Sequence, residues 1–242
     1  MDMKISGSGV ISAGEYDDIR ISGSGKSEGL VRCKSFHASG SFSGEQIECY
    51  EEFHVSGSGK VKNDLTAGSV VASGAFGCDG NITVKEKASI AGAVSCDKNL
   101  KCGELKIAGG AKIGGDIEAE KAVISGGLKC GGLINAEELI IHLEKRGNIT
   151  ANSIGGSKIF VEAKTIGHHP GIFEKMFGWS EGGKLIVEES IEGDEIFLEN
   201  TEAKTVIGNN VNIGAGCKIF TLQYSGEAKI SPYAQIDSVQ KI

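Results

Sequence analysis

The stretch Ile5-Ser6-Gly7-Ser8-Gly9 returns as Ile21-Ser22-Gly23-Ser24-Gly25 and again as Val55-Ser56-Gly57-Ser58-Gly59. Its central glycine recurs at Gly7, Gly23, Gly40, Gly57, Gly74, Gly92, Gly109 and Gly126, in steps of 16 to 18 residues. A self-similar period of this size is the mark of a repeat architecture, and it takes precedence over any local motif. Between these anchor glycines apolar residues alternate with polar ones. Leu105, Ile107, Ala111, Ile113, Ile117 and Ala119 surround Gly109, and the same offsets from Gly126 hold Ala122, Ile124, Leu128, Cys130, Ile134 and Ala136. Period two is the signature of strands with one buried face.

Three or so short strands per repeat cannot bury a face alone. Stacking the repeats in parallel encloses one continuous interior and satisfies each backbone with the coils above and below it. A strict period has no purpose in hairpins, and no amphipathic crossover helix separates the strands. The sequence therefore predicts an all-β chain, a single-stranded parallel β-helix (β-solenoid) of about 17 residues per coil. The position two residues after each anchor reads Gly9, Gly25, Phe42, Gly59, Phe76, Val94, Ala111 and Leu128. If it points inward, Phe lies over Gly, and large-over-small alternation fills a narrow interior densely.

Beyond residue 140 the anchor glycine is lost, but a smaller module continues. Leu65 with Ala67, Val70 and Ala72 matches Leu100 with Cys102, Leu105 and Ile107, and the module returns at Ile117, Ile134, Ile154 and Ile191. Ile159-Phe160-Val161-Glu162 resembles Ile196-Phe197-Leu198-Glu199, 37 residues later, a spacing that reads as two coils plus extra residues. The organisation expected is regular coils over 1–167, an insertion over 168–183, and continued β-helix over 184–242. The insertion holds the single Trp of the chain, Trp179, with Ile172, Phe173, Met176 and Phe177 at the spacing of one face of a short helix. Two readings fit it: a loop packed back on the solenoid flank, or a protruding contact for a partner or a membrane surface.

Composition agrees with a narrow core. Of 242 residues 37 are Gly and 2 Pro, aromatics are 6% and hydrophobic residues 40%, enough to bury an interior filled largely by small side chains. The net charge is −7 and no run of Lys and Arg stands out, which argues against nucleic acid as a partner. Met1-Asp2-Met3-Lys4-Ile5 leads into Ser-Gly sequence without an apolar signal region, and no apolar stretch reaches bilayer-spanning length. Seven cysteines, none in C-x-x-C spacing, fit reduced thiols, so the expected location is the cytoplasm, with peripheral membrane association as a variant of the insertion reading. Solenoid ends are strand edges that capping segments normally blunt. Here Ile5 opens the first coil at once, and the tail after Ser231 gives only partial cover. Ile5, Tyr233 and Ile236 are therefore the candidates for end-to-end stacking, and the chain itself is the first partner expected.

The block from Ile113 to Leu128, IGGDIEAEKAVISGGL, resembles the coils of bactofilins, polymer-forming bacterial cytoskeletal proteins. The likeness lies in Gly-Asp-Ile-x-Ala followed by Val-x-Ile-x-Gly, and it is closest over residues 60–140. It implies a right-handed β-helix, nucleotide-free polymerisation into filaments, and scaffolding of cell shape, polarity or motility through recruited partners. Three departures stand beside it: this chain is nearly all repeat, lacks the short apolar-basic membrane-targeting motif of many members, and carries the 168–183 insertion.

Groups with chemical potential find structural explanations. Cys78, Cys96 and Cys130 lie four residues after their anchors, an offset that Val61 and Ile113 also occupy, so they read as small core residues with no metal assigned to them. His168-His169 is the best catalytic candidate by residue type, and Ile207-Gly208, Ile213-Gly214 and Ile219 mimic the six-residue step of hexapeptide acyltransferases. A His pair beside Pro170 at a loop entrance is more simply solvated punctuation, and no second group can be placed against it. Glu51-Glu52, Glu137-Glu138 and Glu188-Glu189 are neighbours on strands, where successive side chains point to opposite faces. No catalytic residue and no cofactor is assigned. The expected function is a self-assembling scaffold rather than an enzyme. A β-helix enzyme of acyltransferase or polysaccharide-active type, and a non-polymerising binding module of a morphogenetic or motility complex, are the alternatives.

Overall fold

The computed structural model describes residues 1–144, 147–163 and 183–242. Among the described residues the regular structure is strand only, 25 strands and no helix, and the strand ladders are parallel. The chain is the β-solenoid that the period predicts. Contacts divide it into two compact units, Met1–Ala119 and Glu120–Ile242.

In the first unit one ladder runs through seven coils, pairing Ser8, Ser24, Ser41, Ser58, Ala75, Ala93 and Gly110 in succession. The next position of that ladder is Gly9, Gly25, Phe42, Gly59, Phe76, Val94 and Ala111. It points inward, as the large-over-small pattern requires: Phe42 and Phe76 are 4% and 3% exposed. Phe36 and Phe53 stack at 5.0 Å between ring centroids, Phe42 meets Phe36 edge-on at 4.7 Å, and Phe76 lies 5.2 Å from Phe53. The glycines at neighbouring levels make room for this aromatic block.

The anchor glycines owe their recurrence to a close approach between coils. At Gly23, Gly40, Gly57, Gly74, Gly92 and Gly109 an added Cβ would fall under 3.0 Å from backbone carbonyl atoms of the preceding coil, chiefly the preceding anchor's own oxygen. None of these six has a positive φ, so absence of a side chain, rather than an unusual backbone angle, is what the position demands. The approach serves hydrogen bonding. Ile5 O accepts from both Ser22 N (2.9 Å) and Gly23 N (3.3 Å), and Gly7 O accepts from Ser24 N (2.8 Å). The same three bonds recur at Ile21 and Gly23, at Ala38 and Gly40, and at Val55 and Gly57. The repeated Ser-Gly-Ser is the trace of this shared turn.

Side-chain ladders hold the register from outside. Asp64 Oδ1 accepts from Asn81 N (2.7 Å), Asn81 Oδ1 from Asn99 N (3.3 Å) and Asn99 Oδ1 from Asp116 N (2.8 Å), each one coil further on. Lys87–Glu104 (3.0 Å) and Lys101–Glu118 (2.6 Å) join outward positions 17 residues apart.

In the second unit the strands lengthen, reaching 14 residues at Leu185–Leu198. Ile134, Ile154, Ile191, Val206, Leu222 and Val239 form one inward column, which carries the small module to the end of the chain. Ile159 pairs directly with Ile196, and Phe160 with Phe197. The 37-residue spacing is thus one step along the ladder and not two coils. Of the insertion expected at 168–183, all but Gly183 lies outside the described residues, and Ile172, Phe173, Met176, Phe177 and Trp179 with it.

Candidate functional site

A parallel coil repeats its outward positions at one strand spacing, so surface groups come as columns rather than as isolated side chains. Three places on the described surface carry unusual content.

The first is the last coil. Ile213, Ile219 and Leu222 are 0%, 2% and 0% exposed; their ladder partners one coil on are Ile230, Ile236 and Val239. Ile230 is 43% and Val239 48% exposed, and Ile236 is half-buried. The interior row thus continues into a level where it meets water. Tyr233 (62%) and Ile242 (67%) add apolar surface, and among the described ladders the strands Ala228–Ile230 and Gln235–Lys241 are paired on one side only. The first coil differs. Ile5 is 7% exposed and Ile11 0%, so Ile5 offers little side-chain area; Met3–Ile5 and Ser8–Ile11 likewise pair on one side only among the described ladders. Of the three stacking candidates, Tyr233 and Ile236 therefore lie on an open apolar level, whereas Ile5 lines the interior.

The second is a polar column, Lys4, Arg20, His37 and His54, in successive coils. It borders a groove of about 630 Å³ that Ser22 and Ser39 also line. Glu52 lies two residues before His54 on the same outward face, and its Oε1 is 3.8 Å from Nδ1 of both His37 and His54. The imidazole rings are 5.7 Å apart, and all three side chains are partly exposed. The sequence reading passed over this cluster, although the 17-residue separation of His37 and His54 equals the coil period.

The third is an outward apolar column, Ile140, Phe160 and Phe197. The two rings stack at 4.8 Å with 17° between planes, Phe160 is 39% exposed, and Lys158 with Glu195 flanks them.

The cysteines are interior residues. All seven are buried and free. Cys78 pairs with Val61 on one side and Cys96 on the other, and Cys96 with Ile113, the shared core column expected from their offsets. Burial pushes the thiol of Cys102 up to about 12 and that of Cys217 up to about 11. The thiol of Cys78 is pushed up as well, first by its contact with Cys96 and then by burial. Such groups stay protonated and unreactive. Among the described residues the only buried polar side chains are Ser27, Asn200 and Thr201, and Ser27 Oγ has no hydrogen-bond partner. Glu51, Glu137, Glu188 and Glu189 are exposed, and Glu52 and Glu138 partly so. His168 and His169 lie outside the described residues.

Two curated proteins of Bacillus subtilis (strain 168) resemble part of the chain. "Uncharacterized protein YhbF" is 47% identical over 60 residues, 25% of this chain and 25% of that protein. "Uncharacterized protein YhbE" is 47% identical over 58 residues, 24% of each. The match therefore spans about a quarter of the length of these relatives. No family model and no solved structure matches the chain. Among the described residues no helix is long and apolar enough to cross a membrane.

Proposed function

We propose that the protein is a structural scaffold whose function is assembly, copies stacking coil on coil into filaments that recruit partners along their sides. The observation that carries this reading is the last coil, where Ile230, Ile236 and Val239 prolong buried columns into solvent beside one-sided strands. Unpaired strand edges are templates for another chain. Covering the exposed half of one such Ile or Val contributes about 1 kcal/mol, to which the ladder hydrogen bonds add. The contact joins two different surfaces, the last coil of one copy and the first coil of the next, and a head-to-tail contact that does not close generates an open filament. The likeness of residues 113–128 to bactofilin coils supports the same reading.

Enzymatic chemistry finds less support. Of the apparent hexads, Ile213 and Ile219 are core residues whereas Ile207 points outward beside buried Val206, so the six-residue step does not mark one inward set. The binding-module reading has one observation of its own, the exposed Phe160–Phe197 stack.

Electron microscopy and light scattering of the purified chain test assembly directly. Filaments are expected for the wild type and none for Ile236→Asp, with the circular dichroism spectrum unchanged. Filaments of normal length from Ile236→Asp refute this interface, and a monodisperse wild type across protein and salt concentrations refutes the scaffold reading. Phe160→Ser is expected to leave filaments intact and to weaken lateral partner binding only.

A further inference from the structure

The polar column beside the groove brings together three donors of the kind that transition metals prefer. His37 and His54 are ladder partners, so the fold stacks their imidazoles one above the other. Glu52 and His54 are two residues apart on one strand, Gln46–Val55, and share its outward face. One donor atom from each of the three lies within 4.8 Å of the others. Both Nδ1 to Oε1 distances are 3.8 Å. A tetrahedral ion with bonds of about 2.0–2.1 Å holds its ligand atoms roughly 3.3–3.4 Å apart. The donors must close by about 0.5 to 1.5 Å from these separations, which small χ rotations of partly exposed side chains supply.

We propose that His37, Glu52 and His54 form a surface site for one divalent transition-metal ion, with Zn²⁺ as the reference ion and the fourth position left to water. Two imidazoles and one carboxylate with an open position are a donor set that zinc accepts. Magnesium and calcium prefer oxygen donors throughout. The seven thiols are all buried, away from an ion at a surface site, and at Cys102 and Cys217 burial also disfavours the thiolate that would be the ligand form. Arg20, next in the column after His37, opposes a cation here. Glu52 is therefore the counter-charge on which affinity depends, and it is more than a third donor. On the far side His54 stacks on Val71, which neither adds a ligand nor blocks one.

The test uses the full chain, freed of metal by chelator and titrated with Zn²⁺ alone by calorimetry and with Co²⁺ by visible absorption. One ion per chain is expected, with Co²⁺ bands of nitrogen and oxygen coordination and no thiolate charge-transfer band. His37→Ala, His54→Ala and Glu52→Gln are each expected to weaken binding at least about tenfold, since even outer partners of a metal ligand are typically worth about 10–100-fold. His142→Ala, which alters a histidine paired with Glu162 elsewhere, is the control expected to leave binding unchanged. Zn²⁺ should also raise the Tm of the wild type and of His142→Ala but not of the His37→Ala/His54→Ala double variant, because only binding to the native state stabilises it. Should an alanine variant lose its metal-free Tm, His54→Gln replaces the ligand with a polar side chain of similar reach. Failure of the wild type to bind, binding unaffected by the double variant, or a thiolate–cobalt band would each overturn the site. Filament formation is a separate readout, so loss of one result leaves the other standing.

Discussion

Replacing Gly57 by alanine isolates the contact that sets the period. The new methyl would sit under 3.0 Å from Gly40 O, Ser39 O and Ser39 C, all of them backbone. None of these atoms can step aside freely. Gly40 O accepts from Ser58 N at 3.0 Å, and Ala38 O accepts from Ser56 N at 2.9 Å and Gly57 N at 3.3 Å. Opening the coils by about 1 Å to admit the methyl takes these bonds beyond useful length. Ser56 and Ser58 are exposed, so water reaches the freed groups, and each lost bond costs about 1 kcal/mol net. Against roughly 3 kcal/mol stands a gain of about 0.4–1 kcal/mol from the stiffer unfolded chain. The expected net loss is about 2 kcal/mol, or about 4–8 °C in Tm for a chain of this size. Gly7→Ala is the matched control: it occupies the same motif, and nothing lies within 4 Å of its added Cβ. It should keep or slightly raise the Tm of the dilute chain. Because its Cβ would face the surface offered to a preceding coil, it should at the same time hinder filament growth. Circular dichroism melts at low concentration and micrographs at high concentration separate the two effects. Equal Tm losses for both variants, or none for Gly57→Ala, would refute the close-approach explanation of the repeat.

Further outcomes follow from the interior. Phe53→Ala removes a fully buried ring between Phe36 and Phe76, and urea unfolding should show a loss of about 3–5 kcal/mol. Ser27→Ala removes a buried hydroxyl without a partner and should raise the free energy of unfolding in urea by about 1 kcal/mol; a fall would show that the hydroxyl is satisfied by water. Cys102 and Cys217 have folded-state values raised to about 12 and about 11 from an ordinary 9.0, so their contribution is whole below pH 9 and declines as pH rises toward 11–12. Thiol titration with a disulfide reagent at pH 8 should accordingly show native cysteines reacting only as fast as the chain unfolds, and rapid reaction of all seven would contradict their burial.

The coil fold was legible because its determinant is a backbone contact that tolerates one residue only. Glycine at each turn leaves a visible period, and alternation around it separates inside from outside. Phe42 between Gly25 and Gly59 carried the same information about packing. Counting failed where coil length changed: a constant period makes 37 residues two coils, yet Ile159 and Ile196 are neighbours, because residues 164–182 fall inside that single step. Function was less legible. His37 and His54 stand in like local sequences, Phe36-His37-Ala38-Ser39-Gly40 and Phe53-His54-Val55-Ser56-Gly57, but become a pair only when the period is applied to outward positions as well as to inward ones. The exposure of Ile230 and Val239 was hidden for a different reason, since alternation tells which way a side chain points but not whether another layer covers it.

The shared turn has a consequence for how such a chain changes over generations. Each turn offers the next level the same carbonyls that it takes from the level before, so a duplicated 17-residue segment finds its bonding partners already in place on both sides. Gain or loss of one level leaves the joints on either side chemically identical. Length can therefore drift by whole modules under neutral inheritance, whereas a deletion of a few residues within a module shifts every outward column beyond it by that amount. Paired groups such as His37 and His54 would be separated by the second kind of change and carried along intact by the first.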